Sequence, residues 1–211
     1  MFLLGLLCLP VLSTQAEIID RLAAVVNRQI ITLGDIEQEL RLQDLGSFTG
    51  DLTGVSPLPQ QKLTQELVLQ RLIERTLIRE QIQQFPGLEI DDEQVESQLV
   101  AIEKKLGGVG KLADMRIDIQ DLRDRLRWQL QVMKFIDYRF RQFVVVDAKE
   151  IEAYYQNQFL PELQKRNALP APELPAVEER IRKILTEEKL NIQVDEWLAS
   201  LRKDAAIEIF H

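Results

Sequence analysis

The chain has 211 residues, 45% apolar and 28% charged, a balance typical of a folded globular protein and unlike that of a disordered chain. Its net charge of −8 argues against a nucleic-acid partner, because phosphate neutralisation needs a basic surface. The sequence contains one cysteine, Cys8, and one histidine, His211, which excludes cysteine–histidine metal sites and, beyond residue 16, thiol nucleophiles. We therefore expect no metal, no cofactor and no small-molecule substrate.

Residues 1–16 are uncharged and rich in leucine. The apolar run from Phe2 to Leu12 is too short to span a bilayer and is typical of the central region of a signal peptide. The segment lacks a basic start, and Thr14 departs from the small-residue pattern expected before cleavage after Ala16. A cleaved signal peptide and an uncleaved anchor are the two alternatives, and both imply export of the chain that follows.

Two apolar runs after this segment predict a β-hairpin. Arg21–Val26 and Gln29–Thr32 are separated by the polar pair Asn27-Arg28, where asparagine tolerates a positive φ. An isolated hairpin is only marginally stable in water. We therefore expect the alternating run Ala205–Phe210 to add a third strand, so that both ends of the chain close one domain.

The remaining sequence predicts mostly helix, because apolar residues recur at helical spacing and glycine is scarce. Thr32 and Asp35 have the spacing of a capping box, which starts the first helix. Residues 46–59 are rich in glycine and form either a plain connector or a mobile edge over a binding groove. The predicted helices cover residues 35–44, 60–85, 93–106, 120–143, 148–159 and 176–203, with a short helix or turn at 111–119.

The helix predicted at 120–143 has apolar residues on two faces. One face carries a stripe from Leu122 to Phe143, and the other carries Trp128, Val132 and Phe135. Such a helix either lies between two parts of the core or leaves one face open for a partner. In the second alternative the face with Trp128 lines a groove for non-native polypeptide, since aromatic and methionine side chains offer large, adaptable contact areas.

Five segments, in a fixed order, carry a resemblance to a known family. They are DRLAAVVNRQIITLGDIEQEL, QRLIERTLIREQ, IDDEQVESQL, VVVDAKEIEAYYQNQF and AVEERIRKILTEEKLNIQVDEWLASLRKDAAIEI. This order resembles the SurA-type periplasmic chaperones and their PpiC/PrsA-like relatives, which typically begin with a Val-Asn hairpin and a short helix after a signal peptide. The resemblance covers about residues 18–159 and 175–210.

One part of the family pattern is missing. The family normally carries one or two parvulin isomerase domains between the Tyr-Tyr helix and the returning helix. Here the proline-rich residues 160–175, which include the run LPAPELP, predict only a stiff, extended connection. The parvulin signatures A-x-H-I-L and G-G-x-L-G are absent from the sequence. The resemblance therefore implies the chaperone module alone, without prolyl isomerase activity.

The resemblance implies a mainly helical chaperone core with a small β-sheet formed by an N-terminal hairpin and the C-terminal strand. Its divisions are a signal peptide at 1–16, a chaperone region at 17–159, a linker at 160–175, and a helix and strand at 176–211 that complete the same domain. It implies an ATP-independent periplasmic holdase for unfolded or nascent outer-membrane and secreted proteins. The candidate client-binding residues are Met115, Trp128, Phe135, Tyr138 and Phe143.

Three alternatives stay open. The first is a peptidyl-prolyl isomerase, by family name only, and the second is an adaptor that uses the same groove for one fixed envelope partner. The third is a structural subunit or weak homodimer formed by exchange of the terminal strand. Binding of several unrelated unfolded clients separates a chaperone from an adaptor, and a concentration-dependent mass reveals strand exchange.

Overall fold

The computed structural model describes residues 20–43, 64–108, 110–115, 117–166 and 170–210. Within these ranges the protein is mainly helical and has one three-stranded antiparallel sheet, which confirms the predicted fold class. The predicted signal segment and the glycine-rich stretch at 46–59 lie outside the described residues. In the part of the chain that the structure describes, no helix is both long and apolar enough to cross a membrane.

The sheet joins the two ends of the described chain. Its strand order is β2-β1-β3, with β1 at Leu22–Val26, β2 at Gln29–Thr32 and β3 at Ile207–Ile209. Asn27 begins the turn between β1 and β2 with a φ of 53°, in agreement with the sequence-based prediction. Its backbone N–H donates to the carbonyl oxygen of Ala206 at 2.7 Å, just before β3. The third strand thus supplies the partner that an isolated hairpin lacks.

Helix α1, Leu33–Gln43, begins at the predicted capping box. The Asp35 carboxylate accepts a hydrogen bond from the backbone N–H of Thr32 at 2.8 Å, and the backbone N–H of Asp35 donates to the Thr32 hydroxyl at 3.2 Å. The two side chains therefore satisfy two backbone donors at the helix start. This is the arrangement of the usual capping box, with Asp35 in the place of glutamate.

The remaining helices follow in chain order. They are α2 at Gln65–Ile82, α3 at Asp92–Leu106, α4 at Gly110–Asp114, α5 at Ile119–Arg139, α6 at Ala148–Tyr154, α7 at Leu160–Lys165 and α8 at Leu174–Asp204. A 3-10 turn at Arg141–Phe143 follows α5, and a π-helical turn at Tyr155–Phe159 joins α6 to α7.

The proline-rich stretch at 160–175 is less extended than its composition predicts. Helical structure continues through the π-helical turn into α7, with Pro161 in the first turn of that helix. Helix α8 begins at Leu174, two residues earlier than predicted, with Pro175 in its first turn. Proline is compatible with the first turn of α8, because its missing N–H would have no partner there. Between the two helices the structure describes Arg166 and residues 170–173 as non-helical.

Helix α8 connects three parts of the core. Its 31 residues extend over about 46 Å at the usual rise per residue. Val177 and Ile181 near its start pack with Ile151 of α6. Leu190 belongs to a central cluster that also contains residues of α2 and α5, and Leu201 contacts the cluster beneath the sheet. The C-terminal helix thus holds the sheet and the helices together.

The face of α5 with Trp128 is buried in this structure, and so is the first half of the other apolar face, which is exposed at Met133. Leu122 and Leu126, which are 0% and 3% exposed, pack in a cluster with α3. Trp128, Val132 and Phe135, on the second face, are 6%, 0% and 0% exposed and pack in the central cluster. Helix α5 therefore lies between two parts of the core, which is the first of the two alternatives considered from the sequence.

Candidate functional site

The structure separates the five predicted client-binding residues. Met115 is half-buried against the cluster between α3 and α5, and Phe135 is completely enclosed. Trp128 is 6% exposed, whereas Tyr138 and Phe143 are 61% and 69% exposed. Phe143 lies beyond α5, in the 3-10 turn. Phe135 is therefore not accessible from solvent, and Tyr138 and Phe143 are the two of the five that are largely exposed.

Phe85 contacts two residues of this set and lines a pocket with a third. Its ring meets Phe135 edge to face at a centroid distance of 5.4 Å and Tyr138 at 6.3 Å. Phe85 and Trp128 line a pocket of about 450 Å³ between the end of α2 and the middle of α5. We call it the aromatic pocket; its lining includes Arg79, Ile82, Phe85, Leu88, Trp128 and Gln131.

The aromatic pocket exists because the chain reverses after α2. Helix α2 ends at Ile82, and the following Pro86 cannot continue a helix. Gly87 adopts a φ of +84°, a conformation that glycine reaches without a steric penalty. Leu88, 6% exposed, then packs into the central cluster. The reversal leaves Phe85 half-buried at the side of the pocket.

A second pocket, of about 380 Å³, lies between β2, α1, α2 and α5. We call it the charged pocket, because three arginines and four carboxylates line it. Arg125 is 3% exposed and forms an ion pair with Glu39, and Arg75 approaches the same carboxylate at 3.6 Å. Its charged lining residues are Asp35, Glu39, Arg75, Arg79, Asp121, Asp124 and Arg125.

Burial controls the electrostatics of the charged pocket. Loss of solvent lowers the pKa of Arg75 and of Arg125 to about 10, which still leaves both guanidinium groups charged at neutral pH. Each of them has a buried Nε for which the described residues provide no hydrogen-bond acceptor. The pocket therefore contains one buried and one half-buried guanidinium group, one carboxylate shared by both, and two unsatisfied donors.

Arg79 links the two pockets. It is exposed and lines both of them, and its guanidinium carbon lies 5.2 Å from the centroid of the Trp128 ring. The guanidinium carbon of Arg75 lies 5.6 Å from the same ring. Leu72 lines the charged pocket and Ile82 the aromatic pocket, a separation of about 15 Å along α2. Because Arg79 lines both pockets, they adjoin, and we call the two together the groove.

Sequence analysis missed the charged half of the groove. Arg125 falls between the two apolar faces of α5, and Arg75 follows the buried Leu72 by three positions on α2. The sequence did contain a signal for this site, namely one arginine on the inward side of each of two amphipathic helices, Arg75 on α2 and Arg125 on α5. The partner that pairs with both, Glu39, lies on α1, far away in the chain, and no local pattern identifies it.

The chemistry of the groove suits binding. Among the described residues, no group of three histidine, cysteine, aspartate or glutamate side chains is placed to hold a metal ion. One half of the groove offers aromatic and aliphatic surface, and the other offers guanidinium donors and carboxylate acceptors. An extended polypeptide can use both halves, because it presents apolar side chains and polar groups in alternation.

Comparison with known proteins gives a partial match to a chaperone. No family model matches the sequence. The chain is similar to Chaperone SurA of Bordetella avium (strain 197N), with 28% identity over 169 residues. The aligned region is 76% of this chain and 32% of the relative, so the chain spans about a third of the relative's length. The similarity supports a SurA-like relationship and is consistent with a role as a chaperone.

Proposed function

We propose that this protein is an ATP-independent chaperone of the holdase type, which binds unfolded or nascent outer-membrane and secreted proteins in the periplasm. The groove between α2 and α5 is the observation that carries the proposal. It combines an aromatic pocket of about 450 Å³ with exposed aromatic surface at Tyr138. The similarity to Chaperone SurA supports the same conclusion from the sequence.

A groove of this kind favours many weak contacts over one specific contact. Phe85, Trp128 and Tyr138 provide rigid aromatic surface, and Gln131 and Arg79 provide polar groups that different client segments can use. Each client bound in this way is removed from the pool of aggregating chains by mass action, so no nucleotide cycle is needed.

The proposal assigns different roles to the candidate residues. Tyr138 and Phe85 contact the client, Trp128 forms the floor of the aromatic pocket, and Phe135 holds Phe85 and Trp197 in position through ring contacts. Phe143, 69% exposed, adds an apolar contact outside the pocket.

The proposal includes export and the absence of isomerase activity. The leucine-rich residues 1–16 support export to the periplasm. The missing parvulin signatures, and a single histidine at position 211, support a chaperone module without a prolyl isomerase domain. A protease-coupled proline-peptide assay tests this point: the purified protein is expected to leave the rate of isomerisation unchanged, and acceleration contradicts it.

The main experiment is light scattering of an unfolded outer-membrane protein diluted from urea, with and without the purified chain. We expect suppressed aggregation near stoichiometric amounts in the absence of ATP. No suppression by a protein with a helical circular-dichroism spectrum contradicts the holdase proposal.

A fixed-partner adaptor would use the same groove. The same scattering measurement on several clients of unrelated sequence distinguishes the two functions. A holdase suppresses aggregation of most of them, whereas an adaptor protects none or one.

A further inference from the structure

We propose that the outer edge of β3 binds an extended segment of the client as a fourth, antiparallel strand, and that Glu208 favours segments with a lysine or arginine opposite it. This inference rests on the proposed function, because the ligand is an unfolded chain. It adds a second client site, on the sheet, and a preference in client sequence.

The ladder between β1 and β3 shows which residues of β3 are bonded to the sheet. The backbone N–H of Phe210 donates to the carbonyl oxygen of Ala23 at 2.9 Å, and that of Asn27 donates to the carbonyl oxygen of Ala206 at 2.7 Å. In an antiparallel pair, hydrogen-bonded and non-hydrogen-bonded positions alternate along each strand. The residues of this segment that bond to β1 are therefore Ala206, Phe210 and the position midway between them.

The positions in between face away from the sheet. Ile207 lies opposite Val26 and Ile209 lies opposite Ala24, both at non-hydrogen-bonded positions of the ladder. Their backbone N–H and C=O groups therefore point away from β1, and the strand order β2-β1-β3 places β3 at the edge of the sheet. Within the described ranges no backbone group bonds to these four groups. We call them the free edge of β3.

The opposite edge of the sheet, formed by β2, is less open. The backbone N–H of Thr32 donates to the Asp35 carboxylate at 2.8 Å, and α1 begins at Leu33. The capping box of α1 thus occupies a donor at the end of β2. An added strand finds two consecutive outward-facing residues only on β3.

Charge argues against a second copy of this chain on the free edge. Two copies can pair antiparallel so that Ile207 of one lies opposite Ile209 of the other. This register places the exposed Glu208 of one copy directly opposite Glu208 of the other, and like charges at opposite positions are destabilising. Each copy also has a net charge of −8. A charged residue in an edge strand is a common protection against such self-pairing.

The same charge favours a client segment that carries a cation. A lysine or arginine opposite Glu208 forms a cross-strand pair of opposite charge. Ile207 and Ile209 lie on the other face of the strand, where Ile207 packs against the cluster beneath the sheet and Ile209 is 41% exposed. Apolar residues on both sides of the cation extend that face. The preferred segment is therefore apolar, basic and apolar in consecutive positions.

The test uses two peptides of about seven residues with acetylated and amidated ends, a usual length for a strand. The first has the central sequence Val-Lys-Val between threonines, and the second replaces lysine by glutamate. Isothermal titration calorimetry with the full chain at low salt gives each dissociation constant. We expect the lysine peptide to bind about tenfold more tightly than the glutamate peptide, and the ratio to shrink at high salt.

Methylation of the peptide backbone tests the strand pairing itself. Methyl groups on the amide nitrogens of the two valines remove the donors that face the free edge, and binding of the lysine peptide should be lost. The matched control carries the same number of methyl groups, on the lysine nitrogen and on that of the residue two positions further along. These nitrogens face the other edge of the peptide, so binding should be retained.

Ile209→Pro tests the free edge on the protein. Proline removes an outward-facing N–H and leaves the ladder to β1 intact, because Ile209 is at a non-hydrogen-bonded position of that ladder. We expect a loss of at least about tenfold in affinity for the lysine peptide. Ile209→Ala, the matched control, shortens the side chain and keeps the N–H, so it should weaken binding much less. Circular dichroism verifies that both variants are folded.

Glu208→Lys tests the charge preference at an exposed site. The variant should bind the glutamate peptide more tightly than the lysine peptide, a reversal of the wild-type order. Glu196→Lys makes the same change of charge at an exposed site on α8 and should keep the wild-type order. A preference for lysine that survives Glu208→Lys overturns the role of Glu208.

The outcomes separate this inference from the proposed function, which light scattering tests independently. Equal binding of the two peptides, or binding that survives methylation of the valines, overturns the free-edge site and leaves the holdase proposal standing. No peptide binding by a chain that suppresses client aggregation has the same meaning, whereas loss of both overturns both. A wild-type chain that sediments as a dimer, and as a monomer after Ile209→Pro, has a second copy on this edge and overturns the client assignment.

Discussion

Asn27 and Ala206, 179 positions apart in the chain, hold each other by two hydrogen bonds. The backbone N–H of Asn27 donates to the carbonyl of Ala206 at 2.7 Å, and the backbone N–H of Ala206 donates to the Asn27 side-chain oxygen at 3.0 Å. The Asn27 side-chain nitrogen donates to Glu80 on α2 at 2.7 Å. One turn residue thus connects the hairpin, the C-terminal strand and helix α2.

We predict that Asn27→Ala lowers the free energy of unfolding by about 2 to 3 kcal/mol, because alanine loses the side-chain hydrogen bonds and is strained at a positive φ. Asn27→Gly keeps the backbone conformation and loses only the hydrogen bonds, so its cost is about 1 to 2 kcal/mol. Urea unfolding followed by circular dichroism measures both. Equal stability of the three proteins would contradict the role assigned to Asn27.

Phe135 and Tyr138 are both aromatic residues of α5, but they should respond differently to truncation. Phe135→Ala leaves a cavity in the central cluster and should lower the free energy of unfolding by about 3 to 5 kcal/mol. Tyr138→Ala, at a site 61% exposed, should cost about 0.5 kcal/mol or less and weaken suppression of client aggregation.

Ile192→Ala is the control for Tyr138→Ala, because Ile192 is 58% exposed on α8 and lies outside both pockets. It should change neither stability nor chaperone activity. Full activity of the stable Tyr138→Ala variant would contradict the place of Tyr138 in the client-binding surface. The measurements are urea unfolding and light scattering.

Glu39 should be essential for stability. Glu39→Ala leaves the buried guanidinium group of Arg125 and the half-buried one of Arg75 without their shared carboxylate, and should cost about 3 to 5 kcal/mol. Adding Arg125→Met to Glu39→Ala should restore part of this loss, because the unpaired charge is removed along with its partner. Glu37→Ala, an exposed site on the same helix, should change stability by about 0.5 kcal/mol or less in urea unfolding. If Glu39→Ala lowered the free energy of unfolding as little as the control does, the ion pairs of Glu39 would not be needed for stability.

Glu150 should make stability depend on pH at the start of α6. Its hydrogen bond to Lys189, with Nζ 2.8 Å from the carboxylate, and then the backbone N–H of Asp147 lower the pKa of Glu150 below its ordinary value of 4.5. A depressed carboxylate pKa stabilises the folded state above that ordinary value, and the contribution disappears as the pH falls through the folded pKa.

The corresponding experiment compares the wild-type protein with Glu150→Gln in urea at pH 7 and at lower pH. The wild type should be more stable at pH 7, and the difference should shrink as the pH falls below 4.5. In a Lys189→Met background most of this pH dependence should be lost. A difference that is constant across this range would contradict the assignment to Glu150.

Much of the fold could be predicted because its signals are short in sequence. The hairpin, the positive φ of Asn27 and the capping box of Thr32 and Asp35 each depend on residues within a few positions of one another. The structure of residues 160–175 was harder to predict, since the prolines in this stretch predict an extended linker. Two of them are instead part of helices: Pro161 directly follows the π-helical turn, and Pro175 lies in the first turn of α8, where its missing N–H costs nothing.

The candidate site was harder to predict than the fold. The sequence identifies Trp128 and Phe135 as an apolar face, but periodicity is the same for a face that meets the core and for one that meets a client. The packing of α2 and α8 against α5 determines that Phe135 is enclosed while Tyr138, less than one turn away, is exposed.

The sequence by itself determined the hairpin, the capping box that starts α1 and the amphipathic character of the helices, because steric and hydrogen-bonding preferences act between near neighbours in the chain. Only the tertiary structure decided which apolar faces are covered, that Glu39 meets Arg75 and Arg125, and that Phe85 and Trp128 enclose a pocket. These relationships join segments that are distant in the chain. They follow from how whole helices pack, and no local preference specifies that packing.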